Sequence, residues 1–117
     1  MQYLLLIYSN EKEVAALNPS VLGSMTGEYM EFTKEIVQAG QFKAGDRLKP
    51  TSAATTVRVR NGQVATTDGP FAETREQLGG YYLVDAKNLD EAISIAARIP
   101  GARIGSIEVR PIWPPQT

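Results

Sequence analysis

The sequence predicts an α+β domain built on an antiparallel sheet. Two segments have helical periodicity, short apolar or alternating segments flank them, and Asn61-Gly62 joins two alternating runs. The resulting order is strand, helix, strand, hairpin, strand, helix, strand. This order is typical of a ferredoxin-like fold, in which the sheet carries two helices on one face. The chain of 117 residues fits a single domain, 1–117, which can bury a core without disulfides.

The first strand and helix are predicted from apolar patterning. Residues 3–8 read Tyr-Leu-Leu-Leu-Ile-Tyr and predict a strand. A helix is expected to begin near Asn18-Pro19-Ser20, because Asn18 or Ser20 can cap it and Pro19 is tolerated in a first turn. Gly40 is well placed to end it. Its apolar positions, spaced 3, 4, 3 and 4, are Leu22, Met25, Tyr29, Phe32 and Ile36.

The central segment predicts a strand at 41–48 and a hairpin over 55–67. Residues 55–60 alternate strictly, and 63–67 follow directly after Asn61-Gly62. Asn-Gly between alternating runs favours a type I′ turn, which needs positive φ at both central residues. The hairpin is therefore the best-specified local structure of the chain.

The last third predicts a strand at 80–85, a helix and a strand at 105–111. Asn88 is the expected N-cap, with Glu91 three residues later as in a capping box. Pro100-Gly101 is expected to end the helix. The predicted apolar face of this helix consists of Leu89, Ala92, Ile93, Ala96 and Ala97.

Strands 3–8 and 80–85 carry apolar side chains on both faces. Two helices can cover only one of these faces, and monomers rarely expose a large apolar patch. We therefore expect a symmetric homodimer in which two sheets pack face to face; the alternative is a long loop over that face. The tail 113–117 is Pro-rich and predicted to be extended. Trp113 would cover the partner subunit or close the edge of the core.

Composition excludes several functional classes. The chain has no Cys and no His, so disulfides, thiolate metal sites, cysteine nucleophiles and histidine bases are excluded, and we expect no metal or cofactor. A net charge of −1 with scattered basic residues argues against nucleic acid and anionic membranes as partners. The apolar start is too short for a membrane span and lacks the features of a signal peptide, so a cytoplasmic protein is expected.

The most distinctive segment is DGPFAETREQLGGYYLVDA, residues 68–86. Its structural interpretation is a turn. The Asp68 side chain would bond to the backbone two residues on, Gly69 would supply an unusual φ, Pro70 would stiffen the chain, and Phe71 would anchor the loop in the core.

The functional interpretation of the same segment is a ligand site. Asp68 and Glu73 are the candidate catalytic carboxylates, because a carboxylate beside an apolar strand can have a raised pKa and act as a general base. Phe71, Tyr81 and Tyr82 are candidate ligand-binding residues. Arg58, on the hairpin, would offer positive charge to an anionic ligand or simply face solvent. Tyr29 lies on the apolar stripe of its helix, so packing is its expected role.

The segment 68–86 closely resembles the motif of the YCII-related, or DGPF-domain, proteins, and the other elements follow in the expected order. The resemblance implies a dimeric α/β barrel of ferredoxin-like subunits. It also implies a possible link to extracytoplasmic-function sigma factors, beside which members are often encoded. Some relatives are thought to use a His–Asp pair in a cleft. This chain has no His, and Tyr29 falls near the corresponding position.

Three functional hypotheses follow. In the first, a small molecule binds in a dimer cleft near the DGPF loop, with or without a reaction that needs no His. In the second, the chain is a non-enzymatic regulatory protein that binds a sigma factor. In the third, the fold has kept the dimer and lost its catalytic pair. The polar loop argues against the third, since a purely structural connection does not require so many charges.

Overall fold

The computed structural model describes residues 1–115. Within this range, it contains a four-stranded sheet, a separate two-stranded hairpin and three α-helices. The strands are β1 (Gln2–Ser9), β2 (Phe42–Arg47), β3 (Thr55–Arg60), β4 (Gln63–Asp68), β5 (Gln77–Asp85) and β6 (Ser106–Pro111). The helices are α1 (Glu11–Ala15), α2 (Pro19–Gln38) and α3 (Leu89–Ala97).

The four-stranded sheet has the order β2-β5-β1-β6, and every neighbouring pair is antiparallel. The predicted α+β class with an antiparallel sheet is therefore confirmed. The described chain does not close this sheet into a barrel, because β2 and β6 remain open edges. The predicted dimeric barrel requires a second chain and stays a prediction.

Helix α2 follows the predicted pattern. The Asn18 side chain accepts a hydrogen bond from the Ser20 backbone N–H at 2.8 Å and caps the helix. Gly40, just beyond the C-terminus, has φ 73°. Phe32 and Ile36 of the apolar stripe are buried. Among residues 1–115, no helix is both long and apolar enough to cross a membrane.

Helix α1 was missed, so the prediction of two helices was wrong by one. It has only five residues, and none of them is buried, so it has no apolar stripe to reveal it. Its signal is a cap: the Asn10 side chain accepts a hydrogen bond from the Glu13 backbone N–H at 3.0 Å.

Helix α3 begins as predicted but buries a different face. Asn88 accepts a hydrogen bond from the Glu91 N–H at 3.0 Å, whereas the Glu91 carboxylate reaches the N–H of Lys87 rather than that of Asn88. The buried side chains are Ala92, Ile95 and Ala96. The predicted face was partly wrong, because Leu89 and Ile93 are each 49% exposed. Ala92, Ile95 and Ala96, together with Ile99 just beyond the helix, form the apolar stripe that belongs to the core.

The core lies between α2, α3 and one face of the sheet. It contains the inward side chains of β1 and β5 and the buried stripes of both helices: Tyr3, Leu5, Phe32, Ile36, Tyr82, Val84, Ala86, Ala92, Ile95, Ala96 and Ile99. Within residues 1–115, the two main helices α2 and α3 pack on this core face and leave the opposite sheet face to other contacts. Its central side chains, on β1 and β5, are only half-buried: Leu4, Leu6, Tyr8, Leu78, Tyr81 and Leu83. We call these six residues the open face.

The hairpin prediction is confirmed. Asn61 and Gly62 have φ 53° and 74°, as a type I′ turn requires. The ribbon of β3 and β4 pairs only with itself and is not part of the main sheet. Trp113 is 91% exposed, so it does not close the edge of the core. The last two residues of the predicted extended tail, 116–117, lie outside the described residues.

A close contact between α2 and the turn after α3 provides a test of the packing. A Cβ added at Gly101 would lie 2.6 Å from the Tyr29 hydroxyl oxygen. We expect Gly101→Ala to destabilise the protein by about 1–3 kcal/mol, measured by chemical denaturation. The matched control is Gly23→Ala in α2, where nothing lies within 4 Å, and we expect it to stabilise by about 1 kcal/mol. Equal stability of the Gly101 variant and the parent would contradict this packing.

Candidate functional site

The loop between β4 and β5, residues 69–76, is fastened to the hairpin at its first end. Gly69 has φ 99°, which explains the glycine. Its N–H donates to the carbonyl oxygen of Ala54 at 2.7 Å, and its carbonyl accepts from the Thr56 hydroxyl at 2.8 Å. The predicted turn at this position is therefore present. In residues 1–115 the Asp68 side chain makes no hydrogen bond, so it does not form the turn contact expected of it.

The second end of the loop is fastened by side-chain amides. The Asn10 amide donates to the Arg75 carbonyl at 3.1 Å, and the Gln77 amide donates to the Thr74 carbonyl at 2.6 Å. The Gln77 amide oxygen also accepts from the backbone N–H of Glu11 at 2.9 Å. The loop is thus held at both ends although its side chains lie outside the core.

Phe71 does not anchor the loop. Its side chain is 81% exposed, so the expected core contact is wrong. The turn is fixed by backbone and polar contacts instead, which leaves the ring in solvent. An exposed aromatic side chain on a fastened loop is available for contact with a ligand or with another chain.

The two candidate carboxylates, Asp68 and Glu73, are both exposed, and neither forms an ion pair in the described part of the chain. Arg58 is also exposed on β3, where it pairs across the ribbon with Ala65. The structure therefore places these polar candidates on the hairpin and its following loop, accessible to solvent in a single subunit.

The two tyrosines lie on opposite faces of β5 and do not line one surface. Tyr82 is in the core, where its ring packs edge-on against Phe32 at a centroid distance of 5.2 Å. Its hydroxyl lies 2.7 Å from the Thr33 hydroxyl. Tyr81 belongs to the open face, so only Tyr81 is available to a partner of that face.

Asp46, a polar residue that sequence reasoning missed, lies beside the open face on the neighbouring strand β2. The Tyr81 hydroxyl donates to Asp46 Oδ2 at 2.7 Å, and this hydrogen bond raises the pKa of Tyr81. Asp46 is brought opposite Tyr81 by a register shift between Phe42 and Ala44. The alternation of residues does not reveal such a bulge. Residues beyond the bulge face the opposite side of the sheet from the side that the alternation before it predicts.

Tyr29 has the packing role expected of it. Its hydroxyl accepts a hydrogen bond from the Gly101 N–H at 3.1 Å and is half-buried. Burial raises the pKa of Tyr29, and the Gly101 hydrogen bond opposes this shift. The hydroxyl therefore stays protonated at neutral pH and is not a base.

One depression of the described surface lies around Gln41, Asp85 and Lys87, and another is formed by residues 47–50. None of the six candidate site residues lines either of these two depressions.

Comparison with known proteins identifies the family. The model of the YCII-related domain matches residues 1–116. The chain belongs to the YCII-related family. An uncharacterised protein of Rhizobium meliloti (strain 1021) is 39% identical over 114 residues, which are 96% of this YCII-related chain and 92% of that relative.

The Tyr81–Asp46 pair predicts a pH dependence. Because the pKa of Tyr81 is raised above its usual 10.0, the pair stabilises the fold below that pH, and its contribution is lost as pH rises through the folded value. Because burial also raises the pKa of Tyr29, we expect difference absorbance at 295 nm to show tyrosine transitions above pH 10, one of which is lost in Tyr81→Phe. The control, Tyr8→Phe, should leave that transition in place. A Tyr81 titration at or below the usual value would contradict the hydrogen bond.

Proposed function

We propose that this YCII-related protein is a homodimer of ferredoxin-like subunits whose open faces pack together, giving an α/β barrel across two chains. The strand order β2-β5-β1-β6 with both main helices on one sheet face supports the ferredoxin-like assignment. The open face supports the dimer, because in the described residues α2 and α3 pack on the other sheet face and its leucines and tyrosines are only half-buried. Two sheets that pack face to face form a common and stable arrangement.

The open face has the composition of an interface. Across β1 and β5, Leu4 pairs with Leu83 and Leu6 pairs with Tyr81, which makes an apolar centre. On the outer strand β6, Glu108 and Arg110 form an ion pair at the side of this centre. An apolar centre with a charged rim is typical of protein interfaces.

We further propose that a small molecule binds in the cleft that the second subunit creates beside the DGPF loop. The observation that carries this is the loop itself: it is fastened at both ends, yet Asp68, Phe71 and Glu73 point into solvent. A fixed loop with unpaired carboxylates and an exposed ring is suited to a ligand that has hydrogen-bond donors or a positive charge. Asp68 and Glu73 are the candidate general bases for a proton transfer at this site, which would proceed without His.

A regulatory role is the second candidate. It is supported by exposed apolar side chains on the outer surfaces of the helices, Met30 and Val37 on α2 and Leu89 and Ile93 on α3. A protein such as an extracytoplasmic-function sigma factor would cover them. Co-purification of the two proteins that is lost in Met30→Glu would support this role, and co-purification unaffected by that change would not.

The ligand site is tested by thermal shift with separate pools of small amines, carboxylic acids and sugars. A ligand at about 100 times its Kd stabilises the folded state by about 2.7 kcal/mol, which raises Tm by several degrees. We expect Asp68→Asn and Glu73→Gln to remove this rise without changing Tm in the absence of ligand, because both carboxylates are exposed and unpaired. Glu31→Gln, also exposed, is the control. Stabilisation that persists in both site variants would contradict the site.

The dimer is tested by placing a charge on the open face. We expect Leu83→Glu to give a single subunit in analytical ultracentrifugation, since a carboxylate at the centre of an apolar interface is strongly unfavourable. The control, Met30→Glu, changes a side chain that is 70% exposed on α2 and should leave the dimer intact. A dimer of unchanged affinity in Leu83→Glu would contradict the proposed interface.

A further inference from the structure

The hairpin of β3 and β4 is an amphipathic ribbon. One face carries three valines, Val57, Val59 and Val64, with exposed fractions of 60%, 57% and 71%. The other face carries Arg58 and Arg60. The exposed arginines suit contact with solvent, whereas the valine face is apolar and packs against no other strand.

The hairpin packs little on its own subunit, because β3 and β4 pair only with each other and make few contacts with the other described elements. The radius of gyration is 16.3 Å, whereas a compact domain of this length has about 13 Å. An isolated two-stranded hairpin is at best marginally stable in water. A ribbon with these exposures therefore requires a surface to pack on.

The exposure of the open face indicates which surface that is. Each of its six side chains is already half-buried within its own subunit, so only a minor part of their accessible surface remains for an interface. Specific dimers bury about 800 Å² of accessible surface per subunit. Moreover, β6 places the charged Glu108 and Arg110 beside the open face. The ribbon and its following loop supply further apolar surface, because Val57, Val59, Val64 and Phe71 are between 57% and 81% exposed.

We propose that the hairpin is a dimerisation arm, which packs its valine face and Phe71 on the second copy of the chain. This inference rests on the proposed dimer. Two-fold symmetry makes each subunit both donor and acceptor of an arm, so the additional contact is made twice. Asp68 ends β4 and Phe71 follows it, so the arm carries both to the subunit boundary. The ligand site is therefore shared between the two chains.

The arm is tested by isotope-filtered nuclear Overhauser spectroscopy on dimers mixed from labelled and unlabelled chains. We expect the methyl groups of Val57, Val59 and Val64 to show contacts with the partner chain. A dimer whose valine methyl groups contact only their own chain would overturn the arm and leave the dimer proposal standing. A single subunit at the concentration of the experiment would overturn both.

Matched variants give a second readout. The triple change Val57→Thr, Val59→Thr and Val64→Thr keeps β-branched side chains and removes apolar contact. We expect it to weaken the dimer by about 10- to 100-fold, with unchanged far-ultraviolet circular dichroism. Ala65→Ser with Thr67→Ser, on the opposite face of the ribbon, is the control and should change the affinity less than about twofold. Equal dimer affinity in the valine variant and the parent would also overturn the arm.

Discussion

The structure depends on the apolar character of β1 and β5 on both of their faces. One layer of helices satisfies Tyr3, Leu5, Tyr82 and Val84, which form the core together with Phe32 and Ile36. The same strands present the half-buried open face on the other side, away from the core that α2 and α3 form in the described chain. Hydrophobic burial drives folding on one face and, in our account, association on the other. The fold and the proposed assembly thus depend on the same two strands.

The polar loop beside this apolar strand is explained by its contacts. Residues 69–76 are fixed by the backbone at Ala54 and by the amides of Asn10 and Gln77, rather than by insertion into the core. Glu11, at the start of α1, extends this network because its carboxylate accepts two hydrogen bonds from Thr51, each of 2.8 Å. The short helix α1, the turn at Thr51 and the loop 69–76 are therefore connected by hydrogen bonds. This leaves Phe71 and the carboxylates free for intermolecular contact, which is the physical basis of the proposed shared site.

Local signals in the sequence predicted most of the fold. The features that were predicted wrongly depend on contacts between residues far apart in the chain. Asn18, Asn88 and Asn61-Gly62 act as expected, because caps and type I′ turns depend on residues close in the chain. The exposed positions of Leu89 and Ile93 were not predictable, since a helix rich in Ala and Ile offers more than one apolar stripe. Phe71 was misplaced because its hydrophobicity predicts burial within one subunit. The Tyr81–Asp46 pair depends on a bulge, which the alternation of residues does not reveal.

The most direct test of this account is the mass of the unmodified chain in solution. Light scattering at micromolar concentration should give twice the 12.8 kDa of one chain, and the dimer should persist at moderate salt because its centre is apolar. A mass of 12.8 kDa, from a chain that circular dichroism shows to be folded, would contradict the account. In that case the open face would be a solvated surface, and neither the cleft nor the arm would exist.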